Sequence, residues 1–563
     1  MGDVLSDQFA DLSPAEVVLL ANIGNGGLDR LGDGGLPSSG QADRRVRAEL
    51  VRALLLNTPG LPKMHEKGIR LSGAWITGIL DLEGCRVPAD IGLQDCLFDA
   101  TPVLRSAVID TLALDGSVLP GFAANRLDAR GDLLFRATRI EGPVELRGAR
   151  VGGDLVLDGA VLRHDHAEAL VAERMSVRGN VQFRGAQLQG TLALPGARIG
   201  GDLDLVGARL SRREGEALTA DAIDVSGDLI LRRVVIEGAA SAVSARIGGD
   251  LDASGARISA PGLVALNLNR ANIAGAFFLR QEASVSGALS LVGTQMGAMV
   301  DDPASWPAPG DLLLNRCLYA AIVGGPLDAD ARLDWLARQD PGRWGEDFWP
   351  QPYEQLARVL SDMGHQDDKR SVLVEKERLQ RRARRRRARG WPRRILLLAS
   401  DLFLGLTTGY GRLPLLALIW IVALWLTGAA LNGYLARIEV IRPNAPVVLR
   451  SPEWVLCGVP KGQMVHLVSV GAMREGLAAP GQSQVACYLE QPEASAYPKF
   501  SATMLSADMI FPGLGSGQKD YWSPDTRFPT GYLGKLFAYF QTLAGLGLGL
   551  LAVAGFSGIV KSD

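Results

Sequence analysis

"GARVGGDLVLDGA" at residues 148–160 returns 48 residues later as "GARIGGDLDLVGA" (196–208), and after another 48 as "SARIGGDLDASGA" (244–256). A fixed internal period of this kind restricts a chain to architectures in which one structural unit stacks on the next, so it has to be settled before any other reading of the fold. The apolar positions that follow the recurring glycines or their equivalents are Phe122, Leu133, Val144, Leu155, Leu170, Val181, Leu192, Leu203, Leu218, Leu229, Ala240, Leu251, Leu266, Phe277 and Leu289. Their spacing runs 11, 11, 11, 15 and repeats with one late step of 12, so that 48 is three elevens and a fifteen.

The units read apolar-x-apolar, as in Leu155-x-Leu157 and Leu203-x-Leu205, between Gly-Gly or Gly-Asp corners. Alternation over so few residues predicts short strands rather than helical stripes. Residues 68–325 are therefore expected to form a parallel β-helix with coils of about 22–26 residues, some ten of them stacking into a rod of roughly 50 Å. Glycine is expected at the corners for its positive φ. The 15-residue steps hold "RHDHAE" (163–168) and "SRREGE" (211–216), expected as polar loops pushed out from one edge. The leucine-rich repeat is excluded by its Asn ladder and longer period, whereas a pentapeptide-repeat cross-section stays open. Asp154, Asp202 and Asp250 with Arg150, Arg198 and Arg246 are expected to stack as external charge ladders.

A solenoid exposes unpaired strand edges at its ends. Residues 1–67 read as a helical N-terminal cap, with "SPAEVVLLANI" (13–23) starting on Ser13 as N-cap and Pro14 at the first helical position, and "RRVRAELVRALLLN" (44–57) as a second helix. The glycine-rich stretch between them is no dinucleotide loop, because Asp29 stands where the third glycine of G-x-G-x-x-G belongs and no strand precedes it. Residues 326–390 read as a helical hairpin, broken at Gly364 and similar in spacing to a tetratricopeptide pair, followed by a basic run.

That run changes the class of the protein. Between Lys376 and Arg394 lie eleven Lys or Arg and a single acid. Arg381, Arg382, Arg384, Arg385, Arg386, Arg387 and Arg389 are expected to face anionic lipid, because two uncharged apolar stretches long enough to span follow. The expected order is an interfacial segment at 391–412, a first transmembrane helix at 413–436, a periplasmic or extracellular domain at 437–533, and a second transmembrane helix with a short cytoplasmic tail at 534–563. The expectation is a cytoplasmic solenoid at the inner face of a membrane, with lipid rather than nucleic acid as the partner of the arginines. Of five cysteines, Cys457 and Cys487 fall in the external segment and are expected to pair, while Cys85, Cys96 and Cys317 are expected buried and inert. Gly545, Gly549, Ala554 and Gly558 offer small-residue helix packing, against the first span or between copies.

Catalytic patterns are missing from the sequence: it has no G-x-S-x-G, P-loop or H-E-x-x-H, and His164 and His166 of "HDH" have no counterpart 48 residues on. The phrases "GARIGGDLDLVGARL", "FWPQPYEQLARVL" and "AGFSGIV" resemble a family of poorly characterised bacterial membrane proteins with Gly-rich repeats, some labelled membrane-associated oxidoreductases. The resemblance implies a membrane-anchored repeat protein, and the solenoid is similar in class to bactofilins and pentapeptide-repeat proteins. No residue pattern here provides a flavin, nicotinamide, haem or iron–sulfur site, so no cofactor or metal is expected. The expected function is a non-enzymatic scaffold or sensor whose arm binds a protein partner or forms a homo-oligomer. The alternatives are an oligomeric membrane effector or channel gated through the solenoid, and a β-helix enzyme.

Overall fold

The step of eleven is half a turn. In the computed structural model of the chain, Leu133, Leu155, Val181, Leu203, Leu229, Leu251 and Phe277 lie in parallel register, one above the next. Val144, Leu170, Leu192, Leu218, Ala240, Leu266 and Leu289 form a second such row. The sequence series thus alternates between two sides of one coil. Arg150 and its equivalents start a third side and Arg139 and its equivalents a fourth. The chain is a parallel β-solenoid of about 11 turns. Many of its strands are only two residues long, with one residue directed into an aliphatic core, as at Arg150–Val151 and Leu133–Leu134.

The structure describes residue 9, residues 11–410 and residues 413–556 of the 563. It divides into two units, Met1–Lys376 and Glu377–Asp563.

Glycine has two distinct jobs in the first unit. A left-handed residue closes each half-turn, at Gly148 and Gly159 with φ of 64° and 67°, but also at Arg126, Ala137 and Arg174. Positive φ is therefore supplied by non-glycine residues as well, and the Gly-Gly doublet is needed for another reason. A Cβ on Gly152 would fall 2.1 Å from the Arg130 carbonyl oxygen, and one on Gly153 would fall 1.9 Å from Asp132 Oδ1 of the coil below. The doublet is empty so that the neighbouring coil can use the space.

What occupies that space corrects the expected charge ladder. The backbone N–H of Asp154 donates to Asp132 Oδ1 at 2.8 Å, that of Asn180 to Asp154 Oδ1 at 2.7 Å, and that of Asp202 to Asn180 Oδ1 at 2.9 Å. The chain continues from Asp228 to Asp202, Asp250 to Asp228 and Ala276 to Asp250. These side chains staple each coil to the next by satisfying corner N–H groups, as buried or half-buried backbone donors require. Arg150, Arg198 and Arg246 stand exposed in another row, separated by Ser176 and Asp224. We expect Gly152→Ala to destabilise the chain by about 1–3 kcal/mol, since the obstacle is backbone and cannot rotate away. Gly207→Ala meets nothing within 4 Å and should cost about 1 kcal/mol for its positive φ. Thermal melts followed by far-ultraviolet circular dichroism distinguish the two.

The 15-residue steps are also not expelled loops. Val161–Val171, Arg209–Thr219 and Arg257–Asn267 are continuous 11-residue strands. Each pairs with a shorter neighbour through a register shift, so the extra residues bulge while both ends stay in the ladder.

At the N-terminal end, Ser13 and Glu16 form a capping box on the helix Pro14–Asn22. Residues 44–57 are only partly helical: Arg45–Arg47 is a strand paired with Trp75–Thr77, followed by the helix Ala48–Leu55. Asp29–Arg30 likewise pairs with the solenoid strand Ile69–Ser72. The N-terminal segment therefore extends the sheets as well as supplying helices. At the other end the helix Gln351–Asp362 meets the last coil, with the Gln355 amide donating to the Tyr319 carbonyl at 2.6 Å. Gly364, with φ of 90°, ends that helix ahead of Gln366–Arg387.

Candidate functional site

The second unit contains two helices long and apolar enough to cross a membrane, Pro414–Arg437 and Pro529–Phe556. Their outward side chains are largely bare: Leu415, Ile419, Val422 and Leu426 on the first, Leu543, Leu546, Leu550 and Val553 on the second.

The basic run splits by environment. Arg381 Nη1 donates to Asp401 Oδ1 at 3.1 Å, Arg385 pairs with the other oxygen of the same carboxylate, and the Arg381 guanidinium stacks over Tyr410 at 4.9 Å. Asp401 is buried on the helix Trp391–Thr408, so these two arginines are held against protein rather than turned outward. Arg382, Arg384, Arg386, Arg387 and Arg389 are exposed. On the following helix Trp391, Leu396, Leu402 and Phe403 are exposed while Asp401 is buried, which gives it one apolar outer face.

A feature the sequence reading missed lies between the two long helices. The nine-residue helix Ala502–Ile510, N-capped by the Ser501 hydroxyl, wedges against both. Trp425 Nε1 donates to the Thr503 carbonyl at 3.0 Å, and the Ser506 hydroxyl donates to the Trp425 carbonyl at 2.8 Å. Gln541 Nε2 donates to Ser506 Oγ at 2.6 Å and also reaches the Leu424 carbonyl at 3.2 Å. Ser506 and Gln541 are fully buried. Gly428 makes this knot possible, because a Cβ there would lie 2.2 Å from Gln541 Nε2 and 2.5 Å from Ser506 Oγ. So short an apolar helix is far below spanning length, and no hydropathy window marks it. The local signal was Ser501 as a cap, followed by "FPGLGSG" as a stop.

The same wedge locates the small residues of the second long helix. A Cβ on Gly545 would sit 2.8 Å from the Ile510 carbonyl oxygen and 2.9 Å from its Cα. Its close approach is thus to the wedge, not to the helix Pro414–Arg437. Gly549 has open space around it and Ala554 is partly buried. Gly558 lies outside the described residues.

The chain matches no family model, no curated protein and no solved structure.

Elsewhere between the two long helices, Cys457 and Cys487 are joined by a disulfide with a Cα–Cα distance of 5.5 Å. Cys96 and Cys317 are buried in the solenoid, and that burial pushes the pKa of both thiols up to about 12. Cys85 departs from expectation in being only partly buried. His164 Nδ1 lies 2.9 Å from the Glu168 carbonyl oxygen, and the side chain of His166 is outside the described residues. Among the described residues no group of three or more His, Cys, Asp or Glu is placed to share a metal ion. The chemistry the second unit offers is a buried polar knot between apolar helices.

Proposed function

We propose that this is a bacterial inner-membrane protein whose solenoid is a rigid, non-enzymatic cytoplasmic arm that binds protein partners or assembles with copies of itself. The helices at the two ends of the solenoid act as caps in this reading, covering edges that would otherwise recruit further strands. The carrying observation is the order of exposed groups after the solenoid. Arg382, Arg384, Arg386 and Arg389 point outward directly ahead of a helix with a bare apolar face, and the first long apolar helix follows. Basic side chains beside an apolar surface suit anionic headgroups and hold their flank on the cytoplasmic side. Nucleic-acid binding would use the same charges but leaves the adjoining apolar face without a purpose.

Val468, 89% exposed in the segment between the spans, is the site for a topology test. A phosphatase reporter inserted there should be active outside the cytoplasm, and one fused after residue 376 should be inactive. The reverse pattern removes the cytoplasmic arm. Sizing of the full chain in nanodiscs should give an oligomer or a defined complex, and a strict monomer without a partner overturns the assembly reading. A channel is the second reading, favoured by the wedge helix.

A further inference from the structure

Ile510, the last residue of the wedge helix, packs on Ile421 of the first span and Leu548 of the second. It also touches Gly545 of the second span. At about 1.5 Å per residue, the first span rises about 24 Å from Ile421 to its end at Arg437, and the second about 24 Å from its start at Pro529 to Gly545. These two helix ends are neighbours, since a Cβ on Gly534 would fall 2.5 Å from Leu435 Cδ1. Counting only from Lys535, the charged residue nearest that end of the second span, Gly545 is still about 15 Å deep. The hydrocarbon layer is about 30 Å thick. The wedge therefore ends at or beyond the middle of the layer that the spans define.

Beyond the wedge the chain is not helical. Phe511–Gly517 turns back along it: the Ser516 and Lys519 backbone N–H groups donate to the Asp508 carboxylate at 3.3 and 3.4 Å, and Gln518 Nε2 donates to the Lys499 carbonyl at 3.0 Å. Within this return Phe511, Pro512, Gly513, Leu514, Gly515 and Ser516 are all exposed. Among the described residues, the carbonyls of Gly513, Leu514, Gly515 and Ser516 accept no hydrogen bond. Irregular backbone facing lipid at that depth is not tolerated; it must be buried in protein or line water. A chain with two spans and one wedge cannot enclose water alone, so copies of this chain must surround it. Four successive free carbonyl oxygens, with the carboxylate of Asp508 buried behind them, favour cations over anions. Lys519 Nζ, beside the return, is already held on the Pro512 carbonyl at 3.1 Å.

We infer that Ser501–Gly517 is a re-entrant helix and loop whose glycine-rich return, Phe511–Gly517, lines a water-filled path for small cations enclosed by several copies of this chain. The inference rests on the transmembrane reading, and it adds a conducting role that a scaffold does not need.

The test uses the full chain in a Cys85→Ser background, carrying Gly513→Cys or Leu514→Cys. Both positions tolerate the change: Gly513 has nothing within 4 Å of a Cβ, and Leu514 is 57% exposed. Reconstituted in planar bilayers under a potassium chloride gradient, the protein should pass current that reverses towards the potassium equilibrium potential. A membrane-impermeant methanethiosulfonate reagent should modify both cysteines and remove most of that current. Current that persists after complete modification, an absence of current, or cysteines that cross-link between copies but do not react from water would each overturn the path. Val468→Cys serves as the reference. If it reacts from outside intact cells while Leu514→Cys stays silent, the spanning topology stands and the re-entrant path alone fails. If Val468→Cys is itself unreactive, the topology falls and takes the path with it.

Discussion

Replacing Arg332 by methionine is expected to destabilise the solenoid by about 3–5 kcal/mol, the cost of leaving one charge of a buried pair uncompensated. Arg332 is 0% exposed and Asp301 3%. The pairing is two-pronged, Nη1 to Asp301 Oδ2 and Nη2 to Oδ1, both at 2.7 Å, and Nε donates to the Pro326 carbonyl at 2.7 Å. Trp306 Nε1 adds a third donor to the carboxylate at 2.8 Å, and the Trp306 and Trp335 rings flank the guanidinium. This cluster fastens the helix Ala329–Ala337 to the strand Gln295–Asp301 near the end of the coil stack. Asp301→Leu should cost a similar amount, because it strands the arginine. The double change Asp301→Leu with Arg332→Met should cost only about 1–3 kcal/mol, chiefly for the Trp306 N–H that loses its acceptor. Urea titration of the three variants, read by tryptophan fluorescence, gives the comparison. A loss below about 1 kcal/mol for Arg332→Met would mean that water reaches the pair.

The contrast between this cluster and the stack shows what a sequence can reveal. Leu133, Leu155, Val181 and Leu203 were legible because a solenoid core repeats with the chain, and the strands they mark pair in that order. Arg332 and Asp301 were not, since they occur once, where the period has already stopped. The Gly-Gly doublet was visible but misassigned. Its reason is a contact with Asp132 and Arg130 one coil away, and a local reading of "GGD" sees only a corner. The 15-residue steps misled for the opposite reason. "RHDHAE" has the composition of a loop, yet its flanks are fixed by ladders to Gln187–Ala193. In the second unit two long apolar helices were plain from length alone, although the second begins at Pro529, ahead of the expected residue 534. Arg381 and Arg385 could not be separated from the outward arginines without Asp401, which stands on another helix. The wedge helix is held by Ser506, Gln541 and Gly428, single polar or small residues in three separate segments, which no spacing rule connects.

Loss of the Cys457–Cys487 bond should destabilise the domain between the two long helices by about 3–4 kcal/mol, the chain entropy released by opening a loop of this length. The two cysteines stand 30 apart in sequence. The secondary structure around the bond is too short to hold itself: Pro446–Leu449, Pro452–Leu456 and Gln484–Leu489 have four, five and six residues. Isolated helices below roughly 12–15 residues are marginal in water, so these depend on one small core. That core gathers Trp454, Tyr488, Val448 and Ala478 around the two sulfurs, with Trp454 and Tyr488 edge-to-face at 5.4 Å. Gln484 Nε2 adds one cross-link, donating to the Trp454 carbonyl at 2.7 Å. The double change Cys457→Ser and Cys487→Ser should therefore lower the melting temperature of this domain, as read from Trp454 fluorescence. The melting of the solenoid, followed by far-ultraviolet circular dichroism, should be unaffected, because the Asp132–Asp250 staples do not involve the second unit. Reduction of the native chain should reproduce the serine result. Protein taken from cells without reductant should give the 457–487 peptide pair in the mass spectrum if this segment faces an oxidising compartment. Free thiols at both positions would place it on the reducing side, and would reverse the orientation assigned from the arginines.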